Sequence, residues 1–453
     1  MMKNFGLVLS LFFTTILYPQ ENATYRFSLD EAIAFALENN REVINAARDI
    51  NAAEKQKWET TATGLPQISA NIEYQNFLKQ IVSLIPAEFL GGEPGEFAEV
   101  IFGTKQNATA TATLRQLLFD GSYLVGLQSA KVFLEISKNA KIRTDLEVRK
   151  SVIEAYGNVL LTEENIIILE NNLKTLQKNV DETQKVFENG LTEEENLEQL
   201  QITLANVQND LNNLKRLKDI SYKLLNITLG IDLKAKVKLT DRLEALTMKN
   251  LQDPTENNPF IVDKNIEYLI ADNNLKSQEL LVKLEKSKAL PTLDAFLNGG
   301  YQAFSDGFTF LNSDQQWFGN SLLGISLNIP IFSSLQRSAR TQRAKIEFEK
   351  AKSDLTETEQ RIKLAYESAQ SDYTFATEQY FTFKKNLELA ERIELKNQIK
   401  YTEGIATSFD LRQAQLQLYE SQNQFLKAMI DVINKKAALE TISESGDLLY
   451  KQP

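Results

Sequence analysis

From Val152 onward the apolar residues fall on helical steps. Val152, Tyr156, Val159, Ile166, Leu169, Leu173, Leu176, Val180 and Phe187 lie three, four or seven apart. After a break at Asn189-Gly190 the pattern resumes as Leu197, Leu200, Leu204, Val207, Leu211 and Leu214. Ile362, Tyr366, Ala369, Tyr373, Ala376, Tyr380, Phe383, Leu387 and Ala390 keep a 4-3 alternation up to the break at Gly404. Leu411, Ala414, Leu418, Ser421, Phe425, Ala428, Val432 and Leu439 then continue it. Sustained spacing of this kind predicts coiled-coil packing. The predicted helices run over about 120–189 and 335–402, each roughly 100 Å long at ~1.5 Å per residue. Rods of that length predict an elongated molecule. The small or polar seam residues suit close helix approach in a many-helix wall, with an ordinary two-stranded coiled coil as the other reading.

Two regions switch to a period of two. Ile68, Ala70, Ile72 and Tyr74 alternate with polar residues, and so do Ala108, Ala110, Ala112 and Leu114. Leu293, Ala295, Leu297 and Tyr301, then Leu323, Ile325, Leu327 and Ile329, do the same. These predict two β-hairpins, about 65–119 and 291–332, each strand having one apolar face. Strands of about 10 residues suit a transmembrane barrel. The aromatics Phe77, Phe89, Phe102, Phe304, Phe308, Phe310, Trp317 and Phe318 cluster towards the strand tips and fit an interfacial girdle.

The order helix, hairpin, long helix, glycine break, helix occurs twice. Pro66, Phe119 and Gly190 have counterparts in Pro291, Phe332 and Gly404. The expected organisation is a signal peptide at 1–20, a first repeat at 21–245, and a second at 246–453 with a C-terminal tail. Residues 1–20 place Lys3 before a short apolar run, the form of an export signal, too short for a spanning helix of ~20 residues. Four strands cannot close a barrel, and an open sheet edge in lipid leaves backbone groups unpaired. Several copies must therefore join.

Composition removes chemistry from this picture. The chain has no cysteine and no histidine, which excludes thiol nucleophiles, disulfides, a Ser-His-Asp triad and Cys- or His-ligated zinc. No nucleotide-binding glycine motif is present. No catalytic residue, metal site or cofactor is expected, and the chain does not read as an enzyme. A net charge of -11 argues against nucleic acid as a partner.

The stretch SLDEAIAFALENN at 28–40, LPQISANIEY leading into the first hairpin, LFDGS leaving it and the two glycine-centred breaks together resemble the TolC family of outer-membrane efflux proteins. The resemblance spans essentially the whole chain after the export signal. It implies a mainly α fold with β: a homotrimer whose long helices form a periplasmic tunnel and whose four strands per chain build a twelve-stranded transmembrane β-barrel. It implies location in the outer membrane, extending into the periplasm, with outer-membrane lipid around the barrel. The implied function is a passive duct of a tripartite efflux or type I secretion system. Its implied partners are a periplasmic adaptor and an inner-membrane pump. The rival reading is a pore-free periplasmic coiled-coil adaptor or scaffold.

In that family the turns between long and short helices form a gate. The resemblance therefore points to Gly190, Glu193, Glu194, Glu195 and Asn196 in the first turn. In the second it points to Gly404, Thr407, Ser408 and Asp410. Asp410 matches a gate aspartate of the family archetype. Ala406 replaces a basic gate residue, and Asn196 and Gln413 replace aspartates; these departures count against the archetype's salt-bridge lock and leave the run Glu193-Glu194-Glu195 as the other source of negative charge. Each residue also has a local reading. Thr407, Ser408 or Asp410 can cap the following helix, and the glutamates suit the first turn of a helix dipole. Ser28 and Glu31 read as a capping box that opens the first helix.

Overall fold

The computed structural model describes residues 24–251 and 260–443. The export signal expected at 1–20 and most of the C-terminal tail lie outside the described residues. The chain divides into two units. One comprises Met1–Asn45, Arg143–Ile261 and Lys363–Pro453; the other comprises Ala46–Ile142 and Val262–Ile362. Eight helices of at least two turns are assigned among the described residues: α1 Leu29–Asn39, α2 Arg41–Ala62, α3 Gly121–Glu188, α4 Glu194–Leu229, α5 Leu243–Leu251, α6 Ile266–Ser287, α7 Gln336–Thr402 and α8 Ser408–Ser443. No described helix is long and apolar enough to cross a membrane.

The unit containing Ala46–Ile142 is organised around one antiparallel sheet. Its strands are β2 Gln67–Asn76, β5 Gln106–Phe119, β7 Thr292–Ser305 and β8 Phe318–Asn328, in the order β2-β5-β7-β8. Register fixes the faces, because paired residues in a ladder share a side. Ile68 pairs with Leu114, Leu114 with Leu297, and Leu297 with Leu323. One face is therefore apolar across all four strands: Ile68 and Ile72, the alanines of β5, Leu297 and Tyr301, then Leu323 and Ile325. The other face carries Ser69, Asn71, Thr111, Thr113, Asn298 and Asn320. The apolar face is exposed, Ile72 by 83% and Leu323 by 75%.

At the hairpin end the loop after β7 folds onto that apolar face. Phe310 covers Ala303 and Ala108, and Tyr74, Phe308 and Trp317 ring it at centroid distances of 5.8–6.5 Å. Four aromatics thus gather where a girdle is expected. Phe304 and Phe318 stack instead on the polar face, 6.2 Å apart. The long loop between β2 and β5 contains a second hairpin, β3 Val82–Pro86 with β4 Phe97–Ile101.

The other unit has an aliphatic and aromatic core built from α1, α3, α4, α5, α7 and α8. Its edge is a parallel pair, β1 Thr24–Phe27 with β6 Lys236–Leu239. Tyr156 is fully buried and donates to the Phe27 carbonyl at 3.0 Å and to Asp241 at 2.9 Å. Asp241 also accepts the Leu29 N–H at 2.7 Å. One phenol therefore ties α3 to the C-terminal ends of both β1 and β6. Ser28 and Glu31 form the expected capping box. The helical run that opens at Leu29 breaks at Asn40. Its side chain caps α2 through the Glu42 N–H and donates to the Thr228 carbonyl.

Candidate functional site at the helix turns

The long helices α3 and α7 end in the same way. Gly190 and Gly404 adopt φ of +74° and +70°. Leu191 N–H reaches the Val186 carbonyl at 3.0 Å and Gly190 N–H the Phe187 carbonyl at 2.7 Å. Ile405 N–H reaches Lys400 at 2.8 Å and Gly404 N–H reaches Tyr401 at 3.0 Å. Both are Schellman closures, which need a left-handed residue at the position following the cap. The apolar residue that usually folds back in such a motif does not: Leu191 is 78% and Ile405 76% exposed.

The helices that follow start differently. At α8, Thr407 Oγ1 accepts the Asp410 N–H at 3.2 Å. Asp410 accepts the Thr407 N–H at 3.0 Å and its hydroxyl at 2.7 Å. This is a reciprocal cap, with Asp in the usual Glu position. The Thr407 bonds hold the Asp410 carboxyl below its ordinary value. At α4, Glu193 precedes the helix without a side-chain cap, and Glu194 and Glu195 stand exposed in its first turn. Among the described residues no cluster of three or more carboxylates is placed to hold a metal ion.

Two of the sequence candidates meet. Ser408 Oγ donates to Asn196 Oδ1, joining the α8 start to the α4 start. Asn196 also donates to Thr192 at 3.1 Å. The three glutamates stand exposed, and Asp410 serves its own helix.

The Asn196–Ser408 link is the last of four. Asn172 on α3 donates to Gln422 on α8 at 3.0 Å. Asn179 on α3 and Gln398 on α7 exchange two bonds of 3.2 Å. Thr183 on α3 shares a 2.7 Å hydroxyl contact with Tyr401 on α7. Asn172, Asn179, Thr183 and Ser408 are all buried. Every link is neutral, and every link joins α3 or α4 to α7 or α8. Inside the α3–α4 pair the contacts are different: apolar packing of Val180, Leu197 and Leu200, and ion pairs Lys215–Glu170 and Lys218–Glu163 at 2.8 Å. Sequence reasoning missed this polar seam. Its signal was Asn172, Leu176, Asn179 and Thr183 at 4-3-4 spacing, a second stripe beside the leucines.

Near the seam, burial pushes the Glu394 carboxyl above its ordinary value, which the adjacent Gln415 amide offsets only in part. Both Gln415 amide atoms are buried. A groove of about 650 Å³ between α3, α4 and α8 is lined by Asn165, Asn206, Asn213, Arg412, Tyr419 and Asn423 among others.

The family model described as outer membrane efflux protein matches residues 32–230 and 271–443. No curated protein matches the chain by sequence. Solved structures share the fold at low identity. The outer membrane protein VceC of Vibrio cholerae is 15% identical, over 92% of this chain and 96% of its own, with a TM-score of 0.70. The CmeC outer membrane channel of Campylobacter jejuni is 16% identical, over 94% and 86%, at 0.72. The open-state MtrE outer membrane channel of Neisseria gonorrhoeae is 17% identical, over 92% and 89%, at 0.71.

Proposed function

Because the chain belongs to the outer membrane efflux protein family, and is thus an outer-membrane channel rather than an enzyme, we propose that three copies close into one duct gated at its helix turns. The observation that carries the closure is the four-stranded sheet. Among the described residues its β2 and β8 edges are unpaired, and its apolar face is exposed. In lipid an unpaired edge is untenable, so β8 of one copy pairs with β2 of the next. Twelve strands then form a barrel with the apolar face to lipid and the Ser-Asn-Thr face to an aqueous bore. The internal duplication fits this reading: each repeat supplies one hairpin and one long-short helix pair.

The turn residues form the periplasmic gate. In the closed state the four neutral links hold the α7–α8 pair against the α3–α4 pair. Opening parts them, and water replaces the lost hydrogen bonds. The α3–α4 pair has its own ion pairs and apolar contacts, so it moves as a body. Since a neutral hydrogen bond is worth about 0.5–1.5 kcal/mol net, four links are firm enough to keep the gate shut and weak enough for a docking partner to release. That partner is a periplasmic adaptor linked to an inner-membrane pump, which supplies the energy. The chain itself supplies a passage.

The purified protein should run as a heat-sensitive trimer in detergent and give discrete conductance steps in a planar bilayer. A monodisperse monomer without channel activity would refute the duct.

A further inference from the structure

Trp58 and Ile346 are among the exposed apolar side chains of the helices next to the sheet. Trp58 on α2 is 63% exposed and Ile346 on α7 is 67% exposed. Each stands on a helix whose opposite face is already used. On α2, Ala46 and Ala53 are buried, and Trp58 lies about 140° around the helix from Ala53 at 3.6 residues per turn. On α7, Thr341, Ala344, Phe348, Ala351, Leu355 and Ile362 form a half-buried to buried stripe at 3-4 spacing. Ala339, Gln342 and Ile346 lie on the opposite side, all exposed.

These two helices continue the two open edges of the sheet. α2 ends at Ala62, just before β2 begins at Gln67; β8 ends at Asn328, shortly before α7 begins at Gln336. We propose that Trp58 of one copy seats on the Ala339–Gln342–Ile346 face of α7 in the adjacent copy. The inference rests on the closed multi-chain barrel argued above. Pairing β8 with the next copy's β2 brings that α7 alongside the next copy's α2. The depths agree: Trp58 is four residues from the sheet-side end of α2, and Ala339 and Gln342 are three and six residues into α7. At ~1.5 Å per residue all three lie within roughly 10 Å of the sheet-side ends of their helices. The chemistry also agrees. Ala339 leaves room for the indole ring, Ile346 flanks it, and the Gln342 amide oxygen can accept the indole N–H, which seeks a partner when buried.

The absence of native cysteine makes the test clean. The full-length double variant Trp58→Cys/Gln342→Cys is oxidised in detergent-solubilised membranes and run without reductant. The expected result is a covalent ladder ending at the trimer. In a Trp317→Phe background, Trp58 emission should be blue-shifted in the intact assembly and move to the red on heat dissociation. A trimer by light scattering that forms no cross-link, with Trp58 emission water-like or quenched by brominated lipid, overturns this contact while leaving the duct standing. A monomer by light scattering overturns the duct as well.

Discussion

Asn179 and Gln398 each donate an amide hydrogen to the other's oxygen at 3.2 Å, across the contact between α3 and α7. Their link, like the three others along the seam, involves no carboxylate or amine. Removing it should loosen the gate without making it sensitive to salt. Asn179→Ala combined with Thr183→Ala should raise the open fraction by a few- to tenfold per link, from about 0.5–1.5 kcal/mol each. Single-channel recordings at low and high potassium chloride would check this. The variant effect should be the same at both, since screening acts on charges and not on neutral amides.

Asp410 caps α8 as a carboxylate. Its value is depressed by the Thr407 bonds from an ordinary 3.8, so the contribution to folding is complete above that ordinary value. It is lost as pH falls through the depressed one. Asp410→Ala should speed amide exchange at Ser408–Leu411 at neutral pH. Wild type and variant should converge well below pH 3.8. Asp410→Asn should be milder, since its amide oxygen can still accept.

Glu394 has the opposite sign. Burial raises its value above the ordinary 4.5, so the ionised form opposes folding at neutral pH. That opposition is relieved as pH falls through the raised value. Glu394→Gln should therefore raise Tm at pH 7, by under about 1 kcal/mol of stability since water still reaches the group. The gain should vanish below the ordinary value. Thermal melts at the two pH values would check it.

The two sheet faces should differ sharply in tolerance. Ile72→Lys puts a charge on the apolar face and should cost about 2–4 kcal/mol if it sits near the bilayer midplane. Ser69→Lys, three residues away on the polar face, should assemble normally. The yield of heat-sensitive trimer in outer-membrane fractions reads both. Equal tolerance would mean that neither face meets lipid, and the reverse order would mean the faces are assigned the wrong way round.

The long helices were legible because their periodicity runs for many turns. α3 and α7 begin and end within a residue or so of where the apolar stripe and the glycines place them. The four sheet strands were legible from strict alternation. What escaped was short or distant. β1 and β6 have four residues each, too few for a period, and pair across most of a repeat. The break at Asn40 hid inside a run that is helical on both sides, because its signal is one side chain capping α2. At the gate, the glycines and caps followed from local rules. The seam did not, because Asn172, Asn179 and Thr183 read as ordinary polar surface until α7 and α8 cover them.

The most direct test of the account is to lock the gate covalently and watch the current. Asn196 and Ser408 already touch, and the chain has no other cysteine to confuse the result. Asn196→Cys/Ser408→Cys should form an internal disulfide that pins α4 to α8. In a planar bilayer the oxidised protein should stay in its low-conductance state, and reductant should restore the larger openings seen for each single variant. Openings of equal size and frequency in the oxidised and reduced protein would contradict a gate at these turns.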